Sequence, residues 1–231
     1  MQVIGLIGGM SWESTLVYYR LINEAVREKL GGFHSARILM YSLDFHEIET
    51  LQRLDQWEEA AAVLEDAAGR LARGGADLIL ICTNTMHKVA DQVRAAAKIP
   101  LLHIADALGE QVTGMGLTRV GLLGTRFTME QDFFKVRLRQ AHGLDVLVPE
   151  AGSRRIVHDI IYDELCQGQV TEASKQALLG IIRDLEAHGA EGVVLGCTEL
   201  PLLVGQADAS VPIFDTTAIH ARKAVEIALG E

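Results

Sequence analysis

Two short stretches carry residue types that could move a proton or hold a carboxylate. Cys197 ends the apolar run Val193-Val194-Leu195-Gly196 and opens Thr198-Glu199-Leu200-Pro201. A thiol at the carboxyl end of a buried strand, where a turn or helix begins, has backbone N–H groups nearby that bind anions and lower a thiol pKa. Gly196 before it and the Thr-Glu pair after it point to an exposed thiolate, a nucleophile or a proton acceptor, with a packed core cysteine as the alternative. Thr83-Asn84-Thr85 ends a second apolar run, Leu78-Ile79-Leu80-Ile81-Cys82. Thr and Asn after a strand either hold a carboxylate or an ammonium group or cap the helix that follows. His87 and Lys88 come next, and a histidine there caps or packs more often than it catalyses.

An internal repeat relates the two stretches. Gly5-Leu6-Ile7-Gly8 recurs as Gly121-Leu122-Leu123-Gly124, residues 75–83 recur as 189–197, and Ile99-Pro100-Leu101 recurs as Val211-Pro212-Ile213. The offsets, 116, 114 and 112 residues, are nearly constant over three separated blocks. In this register Thr83 falls opposite Cys197, and Cys82 falls opposite Gly196. A one-residue step on a strand turns a side chain to the other face, so Cys82 reads as a thiol packed inside its own half.

The elements that position these residues follow from the hydrophobic pattern. Aliphatic runs at 3–7, 37–42, 78–82, 100–104, 120–124, 145–148, 193–196 and 212–214 lack the alternation of half-exposed strands. They suit strands covered on both faces, as in parallel sheets. Amphipathic segments near 13–29, 56–73, 86–97, 105–115, 128–140, 154–166, 172–188 and 216–229 separate them, which gives βαβ units. The expected fold class is α/β, with two similar lobes related by a pseudo-twofold repeat. Each lobe has a short four-stranded parallel sheet flanked by helices. The expected domains are 1–104 with 216–231, and 105–215. Open α/β sheets bind ligands at the carboxyl ends of their strands, so the site is expected in a cleft between the lobes.

Other loops are less specific. Gly8-Gly9-Met10-Ser11 follows the first strand, but no nucleotide-binding glycine motif is present. Its counterpart is Gly124-Thr125-Arg126-Phe127-Thr128, where Thr125 is a candidate hydrogen-bond donor. Arg126 reads equally as a carboxylate partner or a solvated turn residue. Asp44-Phe45-His46-Glu47-Ile48-Glu49 is rich in possible metal ligands, yet its helical spacing fits a solvated face. The eight histidines are scattered and no zinc spacing appears, so no metal is expected. Trp12, Tyr18 and Tyr19 read as core or interface residues.

Composition narrows the partners. Apolar residues make up 49% and charged residues 23%, an ordinary globular balance that excludes a disordered chain. With 21 Lys and Arg against 31 Asp and Glu, the formal net charge is −10. No basic cluster accompanies it, so neither nucleic acid nor a membrane surface is an expected partner. No apolar run approaches the ~20 residues of a membrane span. The N-terminus has no secretory pattern, and three cysteines form no disulfide framework, which points to a reducing, cytoplasmic setting.

Taken together these residues resemble the aspartate/glutamate racemase family, whose enzymes need no cofactor. The opening Gly5-Leu6-Ile7-Gly8-Gly9-Met10-Ser11 resembles the family's first-strand loop. Thr83-Asn84-Thr85-Met86-His87 is similar to its first catalytic motif, which normally begins with cysteine, and Leu195-Gly196-Cys197-Thr198-Glu199-Leu200-Pro201 to its second. The resemblance covers essentially the whole chain, and Glu199, where the glutamate branch has histidine, points to the aspartate branch. It implies a two-base reaction in which one group removes the α-proton of an acidic amino acid and another returns a proton to the opposite face. By matched position Cys197 is the base for the L-enantiomer and Thr83 serves the other face. Because a hydroxyl is a far weaker base than a thiolate, the expectation is an asymmetric enzyme that favours L-aspartate or L-glutamate. The resemblance further implies substrate contacts from Met10, Ser11, Asn84, Thr85, Thr125 and Thr198, with Gln52 toward the distal carboxylate, and a homodimer. Runner-up readings are a maleate isomerase, hydantoin racemase or decarboxylase of similar fold. A different class is a catalytically impaired amino-acid binding or sensor protein.

Overall fold

The apolar runs form two all-parallel sheets in the computed structural model, which describes residues 1–231. The chain divides into two compact units, one made of Met1–Ile104 and His220–Glu231, the other of Ala105–Ile219. No helix is long and apolar enough to cross a membrane.

In the first unit the order is β1 (Val3–Gly8), α1 (Trp12–Leu30), β2 (Arg37–Ser42), α2 (Phe45–Arg53), α3 (Trp57–Arg73), β3 (Leu78–Ile81), a 3-10 turn (Thr85–Val89) and α4 (Ala90–Ala97). The sheet order is β2-β1-β3. Both faces of β3 are covered, which is why its sequence shows no alternation. Leu78, Leu80 and Cys82 pack with Ile4, Leu6, Tyr18, Ile22 and Val225. Ile79 and Ile81 pack on the other face with Ile7, Leu64 and Val93. Burying each such aliphatic side chain contributes about 1.5–3 kcal/mol.

The second unit contains α5 (Ile104–Gly114, from its second residue), β4 (Arg119–Gly124), α6 (Arg126–Glu130), α7 (Asp132–His142), β5 (Asp145–Leu147) and α8 (Ala151–Asp159). A π-helical turn (Ile160–Glu164), α9 (Glu172–Ala187), β6 (Val193–Gly196) and β7 (Ile213–Asp215) follow. The last helix, α10 (Thr216–Leu229), begins here and continues into the first unit's C-terminal segment. The sheet order is β5-β4-β6-β7.

Strand pairing agrees with the register of the sequence repeat, in which Gly5 matches Gly121. Gly5 pairs with Ile79 and Gly121 pairs with Val193. Stepping along each strand from those pairs makes Thr83 the counterpart of Cys197, and Cys82 the counterpart of Gly196. Gly196 pairs with Gly124, and a Cβ on it would come within 2.9 Å of the Leu123 carbonyl oxygen, so no side chain fits there.

The expected fourth strand of the first unit, 100–104, does not form. Only an isolated bridge, Ile79 to Leu101, stands where the second unit has β7 beside β6. Neither Pro100 nor the start of α5 at Ile104 is the cause, because Pro212 and the start of α10 at Thr216 stand at the matching positions of the second unit, where β7 forms. The stretch is left with two ladder bonds, Ile79 N–H to the Pro100 carbonyl and Leu102 N–H to the Ile79 carbonyl. The first sheet therefore has three strands and the second four.

Candidate active site

Cys197 lies one residue beyond β6, with the parity of Val193 and Leu195, and packs in the core of the second unit. Its thiol donates to Glu199 Oε2 at 3.0 Å, and the Thr198 hydroxyl donates to the same oxygen at 2.6 Å. Glu199 is itself buried, so its carboxylate is held where it takes two side-chain hydrogen bonds. The expected exposed, acidified thiol is corrected here. Cys197 is only 8% exposed. Burial first, then the Glu199 charge and its hydrogen bond to the thiol, push the pKa well above the ordinary thiol value, while the Glu199 backbone N–H pulls weakly the other way. The thiol rests protonated beside a carboxylate placed to accept its proton.

Around it, Thr125 caps α6, accepting from Thr128 N–H at 3.4 Å with its hydroxyl 3.2 Å from that of Thr128. The Thr216 hydroxyl donates to the Leu195 carbonyl at 2.9 Å and braces the end of β6. Arg126 is exposed, and its backbone N–H donates to His158 Nδ1 at 3.3 Å. Burial, and then the Arg126 charge, lower the His158 pKa.

The first unit carries its residues at the same ends of β1 and β3. Gly9, at φ +87°, turns the chain out of β1, and a Cβ there would lie 2.1 Å from the Leu43 carbonyl oxygen. The Gly9 N–H donates to the Thr15 hydroxyl at 2.8 Å, which in turn donates to the Ser11 carbonyl at 2.9 Å. Ser11 is the N-cap of α1 and accepts from Ser14 N–H at 3.3 Å. The Met10 side chain packs in the core. Gln52 is buried in α2, its amide donating to the Met86 sulfur at 3.0 Å.

Thr83 is half-buried just past β3, while Asn84 and Thr85 are buried. Asn84 occupies the N-cap position of the Thr85–Val89 turn, but its side chain makes no capping bond. The Thr83 carbonyl accepts from His87 Nδ1 at 2.7 Å. Cys82 has no exposure, and burial drives its thiol pKa up, the state of an inert core cysteine. Arg53 is exposed beside Glu49. Asp44 caps α2, accepting from His46 N–H at 3.0 Å, and most of that helix's charged residues face solvent.

The geometry thus groups Met10, Ser11, Thr83, Asn84 and Thr85 at the strand ends of one unit, and Thr125, Cys197 and Thr198 at the strand ends of the other. It adds Glu199 and His87, which the sequence reading had quoted within motifs without assigning them a place in the site. Their positions, two residues after Cys197 and four after Thr83, are the available signal, since each side chain reaches back to that neighbour. No group of three or more His, Cys, Asp or Glu side chains is arranged to hold a metal ion.

Comparison with known proteins matches residues 7–224 to the family model described as Asp/Glu/Hydantoin racemase. A crystal structure from Yersinia pestis, described as a candidate Asp/Glu racemase, is 55% identical with a TM-score of 0.94 and aligns 99% of this chain with 100% of its own. An aspartate racemase homologue from Pyrococcus horikoshii is 40% identical with a TM-score of 0.87, over 99% and 100% of the two chains. The broad specificity amino-acid racemase RacX of Bacillus subtilis is 22% identical over 227 residues, 96% of each chain.

Proposed function

Because this chain belongs to the Asp/Glu/hydantoin racemase family and is a racemase-type isomerase, we propose that it racemises an acidic amino acid, L-aspartate or L-glutamate, without a cofactor. The observation that supports the reading is the paired register: Thr83 and Cys197 occupy equivalent places, two residues past β3 and one past β6. Inversion needs a proton-transfer group for each face of one α-carbon.

In this reading Glu199 takes the proton of the Cys197 thiol, and the thiolate removes the α-proton of the L-enantiomer. The resulting carbanion is stabilised by hydrogen bonds to its carboxylate from the loops at 9–11, 83–85, 125 and 198. The Thr83 hydroxyl gives its proton to the opposite face and recovers one from solvent, to which Glu199 releases the proton it took, while Cys197, now holding the α-proton, is a thiol again. The weak basicity of that hydroxyl makes removal from the D-enantiomer slow. Gln52 and Met10 set the shape of the substrate pocket.

The exposed side chains of Trp12, Leu16 and Tyr19, spaced i, i+4 and i+7 on α1, support pairing of two copies through this helix face. Three free thiols support a reducing, cytoplasmic setting.

Chiral chromatography of products from a panel of L- and D-amino acids tests the reaction. Conversion of L-aspartate or L-glutamate at rates above those of the D-forms is expected. Equal turnover from both enantiomers, or turnover confined to acids without an amino group, contradicts it.

A further inference from the structure

Three histidines that look scattered in the sequence meet in the first unit, beside the loop that carries Thr83. The His87 ring centroid lies 4.6 Å from that of His103 and 5.6 Å from that of His220, both edge-on. All three are buried, and none belongs to a metal-binding group.

Their partners assign the tautomers. A carbonyl oxygen only accepts, so His87 Nδ1, 2.7 Å from the Thr83 carbonyl, carries the proton. An amide N–H only donates, so His87 Nε2, which receives the Ile104 N–H at 3.2 Å, is bare. His220 is wired the opposite way. Its Nε2 donates to the Leu102 carbonyl at 2.9 Å, and its Nδ1 accepts from the Tyr18 hydroxyl at 2.8 Å. His220 therefore braces the same 102–104 segment that His87 reaches through Ile104.

We propose that His87 is a positioning residue for Thr83. The inference rests on the reading of Thr83 as the group that returns a proton. The Thr83 backbone leaves β3 through a single turn, its N–H bonded to the Ile81 carbonyl at 2.9 Å. The His87 bond holds the other side of that residue, fixing the peptide plane and with it the Cα–Cβ bond from which the hydroxyl projects. His87 stands four residues on, so its ring reaches back over one turn to the Thr83 carbonyl. Losing that anchor costs in-line delivery of the proton, and a misplacement near 1 Å is worth about 10²-fold in rate.

The test separates Thr83's step from that of Cys197. In deuterated water with L-aspartate, removal and return on the Cys197 face yields deuterated L-aspartate, whereas inversion requires delivery by Thr83. The ratio of inversion to exchange therefore reports the placement of Thr83. His87→Asn keeps an N–H at the Nδ1 position and loses the acceptor for Ile104. His87→Gln keeps an acceptor at the Nε2 position and loses the bond to Thr83. The expected result is a ratio within about threefold of wild type for His87→Asn, and a fall of about tenfold or more for His87→Gln with exchange retained. An unchanged ratio in His87→Gln, or equal losses in both variants, overturns the role of His87 alone. No exchange in wild type would instead overturn the proposed reaction and this inference with it. Should the variants not fold, nitrogen-15 NMR of the wild-type histidines decides: a neutral Nδ1–H tautomer at His87 is expected, and an Nε2–H tautomer overturns the assignment.

Discussion

The Cys197 thiol and the Glu199 carboxylate are joined by a 3.0 Å hydrogen bond, with Glu199 Oε2 also held by Thr198. In the proposed reaction this pairing is what lets a cysteine with a raised pKa serve as a base. Burial, and then the Glu199 charge, keep the thiol protonated at rest, and in the proposed reaction Glu199 is the group to which its proton goes.

Replacing Glu199 by Gln removes a charge that raises the Cys197 pKa. The thiolate fraction near pH 8 should increase. Alkylation of Cys197 by iodoacetamide, followed by mass spectrometry, should quicken by about three- to tenfold. Slower or unchanged alkylation would show that the carboxylate does not hold the thiol in its protonated form. In wild type, kcat/KM for the L-substrate should climb between pH 7 and 9, because a thiol with a raised pKa gains thiolate throughout that interval.

At Thr83 the expected asymmetry can be reversed by chemistry alone. Thr83→Cys supplies a group that forms a thiolate far more readily than a hydroxyl ionises, so D-to-L conversion should rise by about tenfold or more. Thr83→Ala should retain α-proton exchange from the L-substrate while losing inversion. Unchanged D-to-L activity in the cysteine variant would count against the role given to Thr83.

His220 links the buried cluster to stability. Burial lowers its pKa from 6.5 to about 4 in the folded chain. Between those values the unfolded chain binds more protons, so stability is full above pH 6.5 and falls as pH drops toward 4. At about 1.4 kcal/mol per pH unit the loss is on the order of 3 kcal/mol. Urea unfolding at pH 7 and pH 4.5 should show His220→Gln less stable than wild type at pH 7, with the gap narrowing at pH 4.5. A constant gap would mean that His220 is not held neutral by the fold.

Leu16 is 55% exposed between Trp12 and Tyr19, at 61% and 50%. With two copies paired through this face as proposed, wild type should scatter light as a dimer and Leu16→Glu as a monomer, without loss of helicity. A dimer of undiminished mass would place the contact on another face.

Much of this architecture was legible because buried parallel strands announce themselves as unbroken aliphatic runs, as Leu78–Ile81 and Val193–Gly196 do. The repeat offset gave the Thr83 and Cys197 equivalence that the strand registers reproduce. The 100–104 run misled because it matches 212–216, where β7 forms, while its own ladder stops at the single Ile79–Leu101 bridge. The burial of Cys197 was hidden because Gly196 and the Thr-Glu pair suggest an exposed turn, whereas its side chain keeps the parity of Val193 and Leu195 and packs in the apolar core of the second unit. The histidine cluster was hidden for another reason: its bonds join residues 17 and 118 positions apart, beyond any local pattern.

In the proposed reaction Cys197 removes the α-proton of an acidic L-amino acid. Proton NMR of L-aspartate and L-glutamate in deuterated water, with wild type and Cys197→Ser, tests it most directly. Loss of the α-proton signal with wild type only is the expected result. Exchange that persists in Cys197→Ser, or none with either substrate in wild type, would contradict it.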